Sequence, residues 1–259
     1  MQRWNSGIDR VFVERKALHG LVDRMVAIAK KIRLGAPFTG KTADLGCICT
    51  PPQLKHVDAL VKDAVAKGAT LHFGGERDAA LMPGLFYKPT VLSGVTRDMD
   101  IANKEIFGPV CAIQVFDTEA DLLAKVNDCI YGLGASVFSG DHKRAQRVAG
   151  CVQAGMCNIN DFGVNYLVQS LPFGGIKASG YGRFAGAEGL RACCYPYAIT
   201  DDRYAGVETN LPPPFKYPTA SNAPSTARGL ITMAYGETVM TRLGGLAALL
   251  GGLVFAKWE

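Results

Sequence analysis

The chain has 259 residues, 48% of them hydrophobic and 20% charged, which is enough to bury one large or two small cores and excludes a disordered segment. Its net charge of +5, from 28 basic and 23 acidic residues, is scattered without a basic stripe or run, so nucleic acid is not an expected partner. The 8 cysteines show no CxxC spacing and no histidine at metal-ligand distance, which excludes a metal framework and points to reduced thiols in an intracellular protein.

In chain order, the segment Met1-Gln2-Arg3-Trp4-Asn5 lacks the apolar run of a signal peptide. Val11 to Val13 is β-prone. From Lys16 to Arg33 the apolar residues Leu18, Leu21, Val22, Met25, Ala29 and Ile32 recur at threes and fours, predicting a helix stopped by Gly35 and Pro37. A second helix is announced by Thr50, with Pro51 and Pro52 in its first turn; it buries Leu54, Val57, Val61, Ala64 and Val65 and ends at Gly68. Thr70 to Phe73, Tyr87 to Leu92 and Val110 to Phe116 are strand-like runs. Thr118 with Asp121 three residues on resembles a capping box, starting a helix that buries Leu122, Val126 and Ile130. Ala135 to Phe138 and Met156 to Ile159 are further strands.

Strands alternating with helices of this length predict an α/β fold with a doubly wound, mostly parallel sheet. Glycines at 132, 134, 174, 175, 180 and 182 suit tight turns at strand ends, where such sheets carry their chemistry. Residues 1–201 are assigned to this domain. Residues 202–228 read as an extended strap, with Pro212, Pro213, Pro214, Pro218 and Pro224 between Asn210 and Ser225. Residues 229–259 read as a helical tail from Leu230 to Lys257, interrupted by Glu237 and Arg242. Its uncharged stretch, Leu243 to Ala256, falls short of the roughly 20 residues that span a bilayer. Docking on the protein or a partner is the expected role, with membrane contact as the alternative.

Two strings carry the functional reading: Glu105-Ile106-Phe107-Gly108-Pro109-Val110 and Pro172-Phe173-Gly174-Gly175-Ile176-Lys177-Ala178-Ser179-Gly180. Both resemble signature segments of NAD(P)-dependent aldehyde dehydrogenases. The likeness runs nearly from Gly7 to Asp202, and the tail resembles that of a membrane-associated branch in fungi and plants. It implies the C-terminal, catalytic-domain half of an enzyme that oxidises an aldehyde to a carboxylic acid with NAD or NADP, the nucleotide-binding half lying upstream.

By resemblance, Glu105 accepts hydrogen bonds from the nicotinamide ribose hydroxyls, Phe107 packs beside the ring, and Gln53 touches the adenosine side of the cofactor. The residues by themselves also fit a solvated glutamate before a Gly-Pro turn, a core phenylalanine and an exposed helical glutamine. Asn160, Asp161, Phe162 and Phe173 would line the aldehyde pocket, or, for the first three, form a strand-to-loop polar cap. The Gly174-Gly175 loop shapes the tunnel wall through backbone that only glycine permits.

Carrying the same alignment through Gly7-Ile8-Asp9-Arg10-Val11 puts Asn5 where the family has its nucleophilic cysteine. A carboxamide is no nucleophile at neutral pH, so the chain is expected to be inactive by itself and to hold no cofactor stably. Cys47, Cys49, Cys111 and Cys157 are read as small buried hydrophobes and not as replacement nucleophiles. His19, His56, His72 and His142 are given no role. The alternative function is a non-catalytic interaction subunit that pairs, as a homo- or hetero-oligomer, with a full-length aldehyde dehydrogenase through a C-terminal strand at Tyr197 to Thr200.

Overall fold

The structure, a computed structural model, describes residues 8–36, 42–201, 204, 206, 217–218 and 221–254. Two compact units divide between Tyr195 and Pro196. Asn5 and most of the proline-rich segment lie outside the described residues.

In the first unit, strands β1 (Arg10–Glu14), β2 (Thr70–Phe73), β3 (Thr90–Ser93) and β4 (Val110–Phe116) form one sheet in the order β1-β4-β3-β2. β1 and β3 run parallel to the central β4, and β2 closes the edge antiparallel. Helix α1 (Leu18–Ala29) covers one face and α2 (Pro51–Ala66) the other. Side chains alternate between them because strand residues point to opposite faces in turn. Val11, Val13, Val91, Cys111 and Ile113 pack in the cluster with Val22 and Ala29, whereas Leu92, Val110 and Ala112 pack with Leu54, Val57 and Val61. Burial on both faces explains why β4 reads as an almost unbroken apolar run. This is the predicted α/β, mostly parallel arrangement.

Local sequence fixes the ends of α2. Thr50 Oγ1 accepts the Gln53 N–H, and both prolines sit in the first turn, where no N–H is needed. At the other end Gly68 takes φ +101°, its N–H bonding to Val65 O, while Ala69 N–H returns to Ala64 O. That pair of bonds is a Schellman cap.

Several expectations shift. Val65 of α2, foreseen as buried, is 41% exposed, and α1 stops at Ala29, short of Ile32. β3 starts at Thr90 and not at Tyr87: Tyr87 pairs with Arg77 instead, and Pro89 has no N–H to offer the ladder. Helix α3 (Glu119–Asn127) begins as expected, with Thr118 accepting from the Asp121 N–H, but Ile130 lies past its end and is 63% exposed, and Leu122 and Val126 are only half-buried. The Asp121 carboxylate reaches the Asp117 N–H, so the reciprocal half of the box is displaced by one residue.

β5 (Tyr131–Gly132) pairs antiparallel with β8 (Ile176–Lys177), and β6 (Gly134–Val137) pairs parallel with β7 (Met156–Ile159). Helix α4 (His142–Cys151), not foreseen, connects β6 to β7; α5 (Val164–Leu167) and α6 (Gly186–Ala192) are short.

In the second unit the foreseen single tail helix is two: α7 (Ala223–Tyr235) and α8 (Val239–Val254). α7 begins inside the stretch assigned to the strap, because Pro224 serves as a first-turn proline and does not extend the chain. The break follows Tyr235; Thr238 and Thr241 cap each other, and Arg242 Nε donates to Gly236 O. The two helices fold back into a hairpin. A Cβ on Gly229 or Gly245 would press into the backbone of the opposite helix, and one on Gly252 would meet the Thr226 side chain, so these three glycines lie in the contact surface of that hairpin. Among the described residues no helix is long and apolar enough to cross a membrane. Tyr197 to Thr200 forms no strand, and Tyr197 and Ile199 are exposed.

Candidate active site

The loop from Glu105 to Pro109 leads into β4 and lies against the first half of α2. Ile106 is fully buried in the α2-side core, so its neighbours Glu105 and Phe107 turn outward. A Cβ on Gly108 would collide with the Val57 side chain, which is why the motif has glycine before its proline. Phe107 is in the left-handed region at φ 48°, a conformation that costs a side-chain-bearing residue on the order of 1 kcal/mol. The surrounding structure must over-determine it.

It does so through hydrogen bonds to the loop backbone. Gln53 Nε2 donates to Ile106 O at 2.9 Å and Phe107 O at 3.2 Å, and His56 Nε2 donates to Glu105 O at 2.9 Å. From the other side the Asp9 carboxylate accepts the Ile106 N–H at 3.3 Å, and the neighbouring Phe107 N–H favours its charged form. Burial pushes the Asp9 carboxyl above the ordinary carboxylate range in spite of both effects. Partial burial, and then the nearby Asp9 charge, raise Glu105 as well.

No donor reaches the Glu105 carboxylate among the described residues, so its acceptor capacity is open. Phe107 is 38% exposed and borders a cleft of about 230 Å³ with Leu45, Cys47, Cys49, Thr50 and Gln53. An unpartnered acceptor carboxylate next to an aromatic ring and a cleft fits a ligand that presents hydroxyl donors and a flat ring. The nicotinamide riboside end of a dinucleotide has both.

The structure therefore brings Glu105, Phe107 and Gln53 together, with Gln53 in a different posture from the one foreseen. Its amide nitrogen is taken up by the loop carbonyls and does not face solvent freely. Asp9 and His56 were missed. The helical offset of three from Gln53 to His56 was a readable signal; nothing in the sequence marked Asp9.

Asn160, Asp161 and Phe162 follow β7. Asn160, at φ 53°, exchanges two hydrogen bonds with the Ser139 backbone: Oδ1 accepts Ser139 N–H at 2.8 Å and Nδ2 donates to Ser139 O at 3.0 Å. The Asp161 carboxylate accepts the Phe162 N–H. Both polar side chains thus cap the end of β7, while the Phe162 ring is 52% exposed. Phe173 stacks on Phe184 at 4.8 Å and meets Tyr166 edge-on at 5.3 Å, so it anchors the glycine loop.

That loop is defined by close backbone approach. A Cβ on Gly155 would overlap Gly174 O, and one on Gly174 would overlap Gly182 O. Ser179 Oγ accepts the Gly132 N–H, and Arg183 Nη1 donates to Gly175 O. Gly155→Ala is expected to destabilise the first unit by about 3 kcal/mol, the upper range for overpacking, because the obstacle is backbone and cannot rotate away. Unchanged urea midpoints for Gly155→Ala would disprove this packing.

The thiols separate by environment. Burial pushes Cys111 up to about 11 and raises Cys157, whereas Cys49, Cys151, Cys193 and Cys194 are exposed. Thiolates, not thiols, alkylate. Iodoacetamide at pH 8 should therefore label the exposed four at least about tenfold faster than Cys111 and Cys157, read by peptide mass spectrometry. Rapid labelling of Cys111 would reopen it as a nucleophile.

Residues 5–199 match the model of the aldehyde dehydrogenase family. An aldehyde dehydrogenase-like protein of Schizosaccharomyces pombe is 36% identical over 237 residues, 90% of this chain and 45% of the relative. The 4-trimethylaminobutyraldehyde dehydrogenase of Rattus norvegicus is 40% identical over 178 residues, 67% of this chain and 35% of the enzyme. The crystal structure of Staphylococcus aureus betaine aldehyde dehydrogenase in complex with NAD+ superposes with a TM-score of 0.67 at 36% identity, covering 72% of this chain and 37% of that one. The chain thus spans less than half the length of these relatives. With residues 5–199 matched by the family model, the chain belongs to the aldehyde dehydrogenase family.

Proposed function

We propose that this chain is the catalytic-domain half of an NAD-dependent aldehyde dehydrogenase, covering residues 1–201, followed by the proline-rich segment 202–228 and the tail 229–259. The observation that carries the reading is the Glu105–Phe107 loop, in which an unpartnered carboxylate and an exposed ring are held beside a cleft by a left-handed backbone. NAD, when bound, would supply the acceptor for the hydride leaving the aldehyde carbon. The chain's own part is to orient: Glu105 takes the ribose hydroxyls, and Phe107 limits where the nicotinamide ring can lie. The Phe173-anchored glycine loop shapes the wall of the aldehyde tunnel, and Phe162 offers its exposed ring to that pocket. Asn160 and Asp161 act there through the turn they hold, as their side chains are committed to it.

Asn5 stands at the nucleophile position, so the chain alone should not oxidise aldehydes. The test of the reading is cofactor contact: in saturation-transfer NMR with NAD+, the nicotinamide-ribose protons should lose signal in Glu105→Gln relative to the unmodified chain. Identical spectra for the two would refute Glu105 as a cofactor residue. The likeness to the S. pombe protein extends beyond residue 199, which supports a tail of the fungal type.

A stability consequence follows from the surface. Ile130, Phe138, Phe162, Leu167, Phe184 and Leu190 are each more than half exposed. Apolar exposure on this scale marks a surface meant for another domain or subunit. The chain is expected to bind a hydrophobic dye such as ANS, with the signal falling when an upstream half is supplied. A dye-silent monomer would count against a missing covering domain.

The second reading, an interaction subunit, is favoured by one observation: Tyr195, Tyr197 and Ile199 are exposed in a segment that is neither helix nor strand. Such a segment can add to the edge of a sheet in a neighbouring subunit. Co-purification with a full-length aldehyde dehydrogenase, lost on Ile199→Pro, would support it.

A further inference from the structure

The Glu105–Phe107 loop is unusual in how completely its backbone is bound by side chains. Three successive carbonyls, of Glu105, Ile106 and Phe107, accept from Gln53 and His56 on α2. The Ile106 N–H donates to Asp9, which immediately precedes β1, and the adjacent Phe107 N–H lies close enough to favour the same carboxylate electrostatically. The carbonyls and the Ile106 N–H are thus held by different elements, and the loop between them contains the left-handed Phe107.

We propose that Asp9, Gln53 and His56 form a backbone clamp that presets Glu105 and Phe107, with Asp9 as the positioning residue that ties this loop to the start of β1. A carboxylate is the suitable group because it presents two acceptor oxygens to two adjacent N–H groups. Gln53 and His56 are suited to the opposite side because each presents an N–H to a carbonyl, and their spacing of one helical turn puts both on the same face of α2. Asp9 stands in chain order just after the nucleophile position and just before β1, which is hydrogen-bonded along β4, the strand the loop leads into. The clamp therefore acts on Glu105 and Phe107 through the backbone of their loop. In that geometry Asp9, Gln53 and His56 are positioning residues, whereas Glu105 and Phe107 make the contacts. The functional half of this inference rests on the cofactor reading above; the clamp itself does not.

The experiment is amide exchange and 1H–15N spectroscopy on the whole chain. Asp9→Ala should speed exchange of the Ile106 and Phe107 amides at least about tenfold and shift both resonances, while the β4 amides from Ala112 to Val115 stay protected. Asp9→Asn, which retains one acceptor oxygen, should restore protection to within about threefold of the original. Gln53→Ala, at a half-buried helix position, should mobilise the same two amides with the Asp9 carboxylate still present, and serves as the test if Asp9→Ala does not fold. Unchanged exchange at Ile106 and Phe107 in both alanine variants would overturn the clamp. A mobilised loop in a chain whose Glu105→Gln variant contacts NAD+ as the original does would leave the clamp standing and refute the cofactor reading instead.

Discussion

Ile106→Ala is expected to lower the stability of the first unit by about 3 kcal/mol, and to do so by unseating the candidate cofactor loop. Ile106 is completely buried among Val57, Val61, Met99, Ile101 and Val110. Truncating such a side chain removes its transfer free energy and leaves a cavity, for a combined loss of about 2 to 5 kcal/mol in well-packed cores. The site has little room to collapse, because α2 on one side and β4 on the other are held by their own hydrogen bonds. Phe107→Ala, at an exposed neighbouring position, should change stability by less than about 1 kcal/mol. The contrast can be read from urea midpoints of the two variants. If both were equally mild, the buried middle residue of the motif would not be its anchor, and the outward posture of Glu105 and Phe107 would need another cause.

That contrast also indicates which parts of this molecule were legible in its sequence. The strands and the two sheet-covering helices were readable because their signals are local and redundant: an apolar stripe at helical spacing, Thr50 before two prolines, Gly68 after the last turn. α4 was not, because it has only two buried residues, Ala145 and Val148, and no stripe long enough to register. Its one strong signal was Asp141, whose side chain accepts from the N–H groups of both Lys143 and Arg144. The tail reads as one helix in sequence because the only local signature of its glycines is a weak helix propensity. In the structure three of the same glycines let the two helices approach, a property of the pair and not of either segment.

The site divides in the same way. Glu105 and Phe107 stood out because an acid and an aromatic two residues apart, directly ahead of a Gly-Pro turn, make a short and specific string. Asp9 and His56 act through bonds to backbone atoms far along the chain, between residues separated by 97 and 49 positions, and no local pattern encodes such a contact. Asn160 has its carboxamide spent on the Ser139 backbone at a left-handed φ of 53°, which is the strand-to-loop cap that the residue type by itself also allowed.

The largest effect is expected from restoring the nucleophile. Joined behind the upstream half of a full-length family member and changed at Asn5→Cys, the chain should reduce NAD with an aldehyde at a rate at least about a thousandfold above the same fusion that keeps Asn5, because covalent attack needs a thiolate and a carboxamide cannot supply it. Within the active fusion, Glu105→Gln should lower kcat/KM by about tenfold or more: the amide accepts the ribose hydroxyls less well than the carboxylate, and the nicotinamide is then held less often in reach of the aldehyde carbon. Gln53→Ala should act on the same step, since its amide donates to the loop carbonyls of Ile106 and Phe107. A fall in kcat at nearly constant KM for NAD would mark misplacement of the ring, whereas a rise in KM alone would mark a lost contact with the nucleotide. The fusion retaining Asn5 tests the assignment of position 5 itself. If it turns over aldehyde as fast as the Asn5→Cys form, the nucleophile does not lie at position 5, and the transfer of roles from motif to residue fails at its most consequential point.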